Sequence, residues 1–483
     1  MGYVVAIERD PKCFKEIQDS WSEVTVELNH EMSLFSSLAD FQEFMADPDN
    51  EGKKPLLILI TIEELRLLLP ETEDLETKIQ KLKELYGAEI MLSLFNDPVK
   101  SIKNIETLSV RNVLYKPFDL TILKEHTRFA LLHGNQVKTQ HVHTTQTETI
   151  IEHLKKFTLL EVSEFGFKIT KKYPLEKNKA YKFYHPIFSH RKAQHIWARM
   201  INETDTHYEL FFCQNTNAVL SQIRKHIAAS KNKVKTPQWV GISDNAQTTL
   251  KIALQTDEKT AESIKEVLNR YYQGLTFINC LDAGTGDTGN ANPASGSATA
   301  LIEADVLITD IKHSDSSLQA QFSNQPLIIR LFDENLTRLE LKPRLEVEYL
   351  RLEKPVDRSL MIKLFHLLFP KITVSDEVMQ LTAVVNEVTA LAEVIKIKEF
   401  SEAAMLFSDK HIHELGEVIE IALPQEDENH LQEVKGKVHF VSEKPEQDKL
   451  TLQQFVLFGM KDEYLKTMRL WSLQKHIEKN QKD

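Results

Sequence analysis

The run Leu56-Leu57-Ile58-Leu59-Ile60 (LLILI) sits between Lys53-Lys54-Pro55 and Thr61, and its reading decides the fold. A strand with one wet face alternates apolar and polar residues, whereas a strand covered on both faces is apolar throughout. Runs of the same kind lie on either side. Val4–Ile7 ends in Glu8-Arg9-Asp10, Ile90–Leu92 follows downstream, and Val113–Tyr115 is closed by Lys116-Pro117-Phe118. Segments with helical periodicity, such as LETKIQKLKELYG at 75–87, separate them. Buried strands alternating with helices predict a doubly wound, flavodoxin-like α/β domain with a parallel sheet over 1–132.

Beyond it the pattern changes. Residues 134–148 (GNQVKTQHVHTTQTE) are polar without an apolar period and read as a linker or irregular entry. From Phe157 to Cys213 short β-like segments follow, including AYKFYHPIF and HYELFFCQN, then a helical stretch, NAVLSQIRKHIAASK. Several antiparallel strands with short turns predict a small β-barrel over 133–232.

The same succession then repeats. Leu250–Leu254 leads to Gln255-Thr256-Asp257-Glu258 and a helix, then come VLITD at Val306–Asp310, Leu327–Ile329, and Tyr349–Leu352 closed by Glu353-Lys354-Pro355. This second α/β domain spans 248–370, and the β-like segments AEVIKIKEF, GEVIEIALP, VKGKVHFVSE and LTLQQFVLFGM place a second barrel with a terminal helix over 371–483. Lys116 and Lys354 share an offset of 238 residues with Ser163 and Ser401. An offset that long marks a duplicated two-domain unit rather than a solenoid. The small-residue stretch 283–299 reads as a flexible insertion, and the connector 232–249, with Trp239, has no assignment.

Bulk properties narrow the function. Hydrophobic residues at 42% and charged residues at 27% describe globular protein, and the formal charge of −12 disfavours nucleic-acid binding. Cys13, Cys213 and Cys280 lie far apart, so neither a disulfide framework nor a zinc motif is expected, in keeping with a reducing cytoplasm. The start, MGYVVAIERDPKCF, is not patterned as a signal peptide, and no apolar run is long enough for a transmembrane segment. No GxSxG, HExxH, Walker or GxGxxG pattern occurs, which closes the usual motif routes to an enzyme.

The strand-end residues resemble a bacterial response-regulator receiver domain, over about 1–132 and again over about 248–370. The resemblance implies acidic residues after the first strand that hold Mg²⁺ and an Asp ending the third strand that accepts phosphate. It also implies a Ser or Thr ending the fourth strand and a Lys-Pro after the fifth, which read out the phosphoryl group. Such chemistry needs hard carboxylate oxygens around the ion and a cation beside the phosphoryl. In the first copy Glu8 stands at one acidic position, Arg9 at the other and Thr61 at the acceptor position, while Ser93 and Lys116 remain. This copy is expected to be a pseudo-receiver. In the second, Asp310 is the candidate phosphoacceptor, and Asp257 and Lys354 match their counterparts. Thr256 replaces one acid and Arg330 falls at the switch position, where pairing with Asp310 would mimic a fixed charge state. Asp257 and Asp310 are the candidate Mg²⁺ ligands, short of one carboxylate.

The β segments resemble PilZ domains, the bacterial cyclic-di-GMP receptors, whose marks are an RxxxR segment and a D/NxSxxG turn. Glu161-Val162-Ser163-Glu164-Phe165-Gly166 matches that turn with Glu at its head, and Glu399-Phe400-Ser401-Glu402-Ala403-Ala404 echoes it without the Gly. No Arg lies between Arg128 and Arg191 or between Arg358 and Arg469, so the paired guanidiniums that grip the dinucleotide are missing. Cyclic-di-GMP binding in the family manner is therefore not expected. The pairs His141/His143 and His411/His413 lack Cys or carboxylate ligands in a metal spacing and are expected on solvated loops or strand faces. Phe211, Phe212, Phe455 and Phe458 are expected in the core.

These readings predict a non-catalytic, cytoplasmic signalling or scaffold protein that acts on protein partners. Two alternatives carry testable residues: a phosphorylation-responsive regulator using Asp310, with Mg²⁺, and a cyclic-di-GMP effector using Lys155 and Lys156.

Overall fold

Strands β1 (Gly2–Ile7), β2 (His30–Phe35), β3 (Pro55–Thr61), β4 (Glu89–Phe95) and β5 (Asn112–Lys116) form one parallel sheet in the order β2-β1-β3-β4-β5. The computed structural model describes residues 2–50, 52–68, 73–95, 105–188, 195–230, 233–235, 248–280, 301–312, 321–333, 343–345, 348–372, 381–423, 432–443 and 450–480. The LLILI run lies in the central strand. Leu57 and Leu59 enter one core with Val4, Ala6 and Met91, while Ile58 and Ile60 enter the opposite core with Val5, Ile7 and Leu92. Each such side chain contributes roughly 1.5–3 kcal/mol when fully buried, so a polar break in this run would be costly on either face.

Helices α1 (Pro11–Glu27), α2 (Leu38–Ala46), α3 (Ile62–Leu67), α4 (Leu75–Tyr86) and α5 (Leu120–Leu131) alternate with these strands. Asp10 caps α1 by accepting the Lys12 and Cys13 N–H groups, with Pro11 at the first helical position. Gly87, at φ +65°, closes α4 in the left-handed conformation. The Trp21 indole donates to Thr127 Oγ1 at 2.8 Å and joins α1 to α5.

Strand β6 (Thr145–Val162) begins twelve residues earlier than the first β-like segment read from the sequence. Its start therefore overlaps the stretch read as a linker. Strands β7 (Gly166–Thr170), β8 (Ala180–Tyr184), β9 (His195–Glu203) and β10 (His207–Phe212) follow, then the two-residue β11 (Gln214–Asn215), helix α6 (Asn217–Ala229) and β12 (Lys233–Lys235). A second parallel sheet is built from β13 (Leu250–Gln255), β14 (Leu275–Asn279), β15 (Val306–Asp310), β16 (Leu327–Phe332) and β17 (Leu350–Glu353). Its order, β14-β13-β15-β16-β17, repeats the first, and β11 adds itself beside β17. Helices α7 (Glu258–Tyr271) and α8 (Arg358–Leu368) belong to it. The insertion 283–299 and residues 236–247 of the connector, with Trp239, lie outside the described residues. The last elements are β18 (Leu381–Phe400), β19 (Ala404–Asp409), β20 (Val418–Leu423), β21 (Gln432–Val441), β22 (Thr451–Leu457) and helix α9 (Asp462–Asn480).

The chain divides into two compact units that do not follow the linear succession of four domains. One comprises Met1–Leu154, Val394–Glu426 and His430–Asp483; the other comprises Lys155–Glu393 and Asp427–Asn429. The boundaries fall inside β6 and β18. In the first unit the antiparallel order is β6-β20-β21-β22-β19-β18, with His153 opposite Ile421 and Ile397 opposite Phe407. In the second it is β6-β7-β10-β9-β8-β18-β12, with Val162 opposite Phe167 and Leu391 opposite Phe183. These orders are parts of one 11-stranded sheet, and strands of 18 and 20 residues, against a usual length of about five or six, are long enough to contribute to both units.

Each unit has its own apolar interior. Val4, Leu57 and Phe129 share a core with Ile395, Phe407, Phe455 and Trp471 in the first. Phe165, Phe211 and Leu220 share one with Ile252, Ile308 and Phe365 in the second. Phe211, Phe212, Phe455 and Phe458 are all buried, as expected. Among the described residues no helix is long and apolar enough to cross a membrane. The three cysteines are free and buried, and burial pushes the Cys213 thiol up to about 12.

In the first unit Asn112 ties β5 to the end of β22: its amide donates to Leu457 O at 2.9 Å and its carbonyl accepts from Gly459 N at 3.1 Å. The same amide lies 2.8 Å from His126 Nδ1. Burial pulls His126 down from 6.5 to about 3 and, with the His133 and Arg111 charges, pulls His439 down to about 3 as well. Both rings are neutral in the fold but take protons in the unfolded chain below about pH 6.5, so stability falls as pH drops from 6.5 toward 3. At pH 5 the loss is about 2 kcal/mol per histidine. Urea unfolding across pH 7 to 5 should show this slope, and His126→Gln should reduce it by about one proton.

Candidate functional site

At the C-terminal edge of the first parallel sheet, where this architecture places its sites, two of the protein's own charges pair with each other. Lys116 Nζ lies 2.7 Å from Glu8 Oε2, with side chains only 2% and 3% exposed. Glu8 Oε1 accepts the Asp10 N–H at 2.9 Å, and the Lys116 ammonium sits 4.8 Å from the Phe95 ring centroid. Thr61, at the end of β3, is paired in register with Ser93 of β4. Its hydroxyl accepts the Glu64 N–H at 3.2 Å and caps α3. Arg9 turns to the buried Glu64 at 2.6 Å, whose other oxygen accepts the Leu38 N–H. The Ser93 hydroxyl is buried without a hydrogen bond among the described residues. Thr61 serves a helix end, and neither it nor Ser93 can take a phosphoryl group through a carboxylate.

The equivalent edge of the second sheet is organised differently. Asp310 ends β15 with a side chain 7% exposed. Thr256 Oγ1 donates to its Oδ1 at 2.9 Å, and Lys354 Nζ reaches the same oxygen at 3.1 Å. Lys354 also lies 3.5 Å from Asp257 Oδ2 and 3.4 Å from Asp333 Oδ1, so one ammonium is shared by three carboxylates. Burial lowers the lysine's pKa, but the hydrogen bond and charge of Asp310, with Asp333, outweigh it and leave Lys354 above its ordinary value. Asp257 caps α7, and the Thr260 N–H holds its carboxyl below the usual range, with Lys354 adding to the effect.

Arg330 requires a correction. The parallel register sets it beside Thr309, and Asp310 falls beside Leu331. Its guanidinium reaches the Asp310 main-chain oxygen at 3.5 Å, and its Nε lies 3.8 Å from Glu348 Oε2. The cation that meets the Asp310 carboxylate at hydrogen-bond distance is Lys354, not Arg330. Asp333 joins the Lys354 cluster from a loop, and Glu348 pairs with Arg330 and Arg351, so neither lies on a periodic element that the sequence marks. The Asp that follows a strand by one residue, as Asp333 follows β16, was the available signal.

These donors do not match a Mg²⁺ site of the kind the sequence resemblance implied. A hydroxyl donates a proton to Asp310 where a further carboxylate oxygen would be needed. The Lys354 ammonium already compensates Asp257 and Asp310 together, and hard ions take unprotonated oxygens.

The two serine turns have the same geometry. Ser163 Oγ accepts from Phe165 N and Gly166 N, each at 3.2 Å, and donates to Gly166 O at 3.1 Å. Ser401 Oγ accepts from Ala403 N at 3.2 Å and Ala404 N at 3.1 Å and donates to Ala404 O at 3.2 Å. Both hydroxyls are consumed by the turn. A Cβ on Gly166 would stand 1.9 Å from Leu210 O, which accounts for the glycine there. Glu161 and Glu399, at the heads of these motifs, lie on β6 and β18; Glu161 is 3.1 Å from Lys168, and Glu399 accepts from Gln146 at 3.3 Å. Lys155 is buried and pairs with Glu393, while Lys156 is exposed. The pair His411/His413 departs from a solvated loop, because His413 is buried.

No family model matches the chain, and no curated protein matches it. Among solved structures, a response regulator receiver domain protein from Clostridium thermocellum is 9% identical, covering 27% of this chain and 94% of that one, with a TM-score of 0.20. The receiver domain of the TMAO respiratory system response regulator TorR is 19% identical over 26% of this chain and 94% of its own, also at 0.20. Full-length ShkA in complex with AMPPNP is 9% identical over 75% of this chain and 50% of its own, at 0.17. Strand order and the residues at the sheet edge, rather than these scores, decide the fold. The N-terminal segment is a receiver-like α/β domain. Within it Glu8 and Lys116 form a buried ion pair at the C-terminal edge of the sheet.

Breaking a buried pair leaves a stranded charge, whereas removing both partners does not. Lys116→Met should destabilise the first unit by about 3–5 kcal/mol, and the double change Glu8→Leu with Lys116→Met should recover most of that loss. Urea unfolding of the three proteins checks it; equal stability of single and double variants would contradict the pairing.

Proposed function

We propose that this chain is a non-catalytic cytoplasmic signalling protein that acts through protein partners. In this reading it is a duplicated set of receiver-like and PilZ-like modules whose ligand positions are occupied by internal pairings. The buried Glu8–Lys116 pair carries the proposal, because it satisfies the readout lysine permanently and Thr61 offers no acceptor carboxylate. The second α/β domain supports it in another way: Lys354 is held by Asp310, Asp257 and Asp333, a fixed charge arrangement rather than one awaiting a phosphoryl group.

The antiparallel sheets support the same reading. Arg224 spends its guanidinium on a two-point contact with Asp357 at 2.8 Å and on Glu164. Arg199 is buried with its guanidinium 3.9 Å from the Tyr349 ring centroid. Guanidiniums engaged in this way are not a pair presented to a phosphodiester. Retained folds with spent ligand groups leave surfaces as the means of action.

A second reading, phosphorylation at Asp310, is favoured by one observation: the same lysine contacts Asp257 and Asp310 at one sheet edge. The two readings separate in one experiment. The full chain is incubated with acetyl phosphate or phosphoramidate and Mg²⁺, and its intact mass is measured. The expected result is an unchanged mass; a phosphoryl adduct that disappears in Asp310→Asn would replace the proposal with the second reading. Calorimetry with cyclic-di-GMP should likewise give no heat, and a tagged full chain should co-purify with a stable protein partner.

A further inference from the structure

We propose that the first unit contains a buried site for a divalent transition ion of the zinc type, built by His153, Asp409 and His413. The site is independent of the signalling reading. His153 lies on β6, where it pairs with Ile421 of β20; Asp409 ends β19; His413 lies in the connection from β19 to β20. Asp409 Oδ2 is 3.6 Å from His413 Nε2 and 3.9 Å from His153 Nδ1, and the three ligand atoms all lie within 4.8 Å of one another. All three residues are buried. Around a tetrahedral ion with bonds near 2.0–2.1 Å, ligand atoms stand about 3.3–3.5 Å apart. Closing the observed triangle requires shifts of tenths of an ångström on two edges and somewhat more on the third.

His413 points to a ligand by its own condition. Its side chain is 1% exposed, and Nε2, the ring nitrogen that faces Asp409, makes no hydrogen bond among the described residues. A buried polar atom left without one costs about 1–3 kcal/mol. Two neighbours arrange the ring as a ligand. Glu417 Oε2 lies 3.1 Å from Nδ1, on the side away from Asp409, as a carboxylate does when it orients a metal-bound imidazole. Gln453 accepts the His413 N–H at 3.0 Å and donates to His411 O at 2.6 Å, clamping the connection onto β22. Asp409 Oδ1 accepts the His411 N–H at 3.2 Å, which leaves Oδ2 directed at the two imidazoles.

Two imidazole nitrogens with one carboxylate suit Zn²⁺ or its late first-row neighbours, not Mg²⁺ or Ca²⁺, which prefer oxygen sets. Three protein ligands leave one position for water. Such an ion would fasten the first half of β6 to the β19–β20 connection, within the unit that strand enters first.

The test uses the full chain after chelator treatment. Co²⁺ is titrated while its visible d–d bands are recorded, and Zn²⁺ affinity is measured against a chromophoric chelator. One equivalent per chain is expected, with Asp409→Asn and His413→Gln weakening Zn²⁺ at least 100-fold, and Glu417→Gln weakening it about 10-fold with the site intact. His143→Gln, outside the cluster, should bind as the parent does. Failure of the parent protein to take up an equivalent, or unchanged affinity in folded Asp409→Asn, would overturn the proposal. Should the variants not fold, X-ray absorption of the Zn²⁺-loaded parent decides: two imidazoles and one carboxylate are expected, and sulfur scattering would overturn it.

Discussion

A β-strand buries its side chains against whichever elements flank it, and two strands of this protein contribute to both compact units. Thr145–Val162 and Leu381–Phe400 are each divided between compact units, at Leu154 and at Glu393. The consequence is that the N-terminal α/β domain completes its core with strands from the C-terminal end of the chain. Phe129 and Leu57 share an interior with Phe455 and Trp471, and Asn112 bonds the backbone at Leu457 and Gly459. The N-terminal α/β segment is then not a self-sufficient body. Loop closure over such sequence distances costs only logarithmically more than over short ones, so a few dozen buried apolar side chains suffice to hold the arrangement.

At the C-terminal edge of each parallel sheet a lysine is held by the chain's own carboxylates. Lys116 ends β5 and Lys354 follows β17, and both pair with carboxylates. Lys116 has one partner, deeply buried; Lys354 has three, nearer to water. Desolvating an ammonium without compensation is prohibitive, and Glu8 supplies that compensation for Lys116. The serine turns follow the same logic, since each hydroxyl closes the hydrogen bonds of a tight corner and has none to spare.

Much of this was legible from short-range pattern. Uninterrupted apolar runs place the parallel strands because both faces of such a strand are covered, and Lys116 and Lys354 could be matched by offset alone. The strand exchange was not legible. The opening of β6, with Thr145, Gln146, Ile151, Glu152 and His153, carries polar residues at buried as well as exposed positions, so no period announces it. Arg330 was misplaced by a single residue of register, which sequence spacing does not resolve. His153 is 256 residues from Asp409, and only the pairing of β6 with β20 brings them together.

Native-state hydrogen exchange is the most direct measurement of this organisation. Amides of Asn112–Lys116, Ala404–Asp409 and Thr451–Leu457 should open together with one free energy and one denaturant dependence, and those of Gly166–Thr170 and Leu250–Gln255 together with another. If Asn112–Lys116 instead opened independently of Ala404–Asp409 and Thr451–Leu457, the N-terminal domain would be a separate body and the shared core would be refuted.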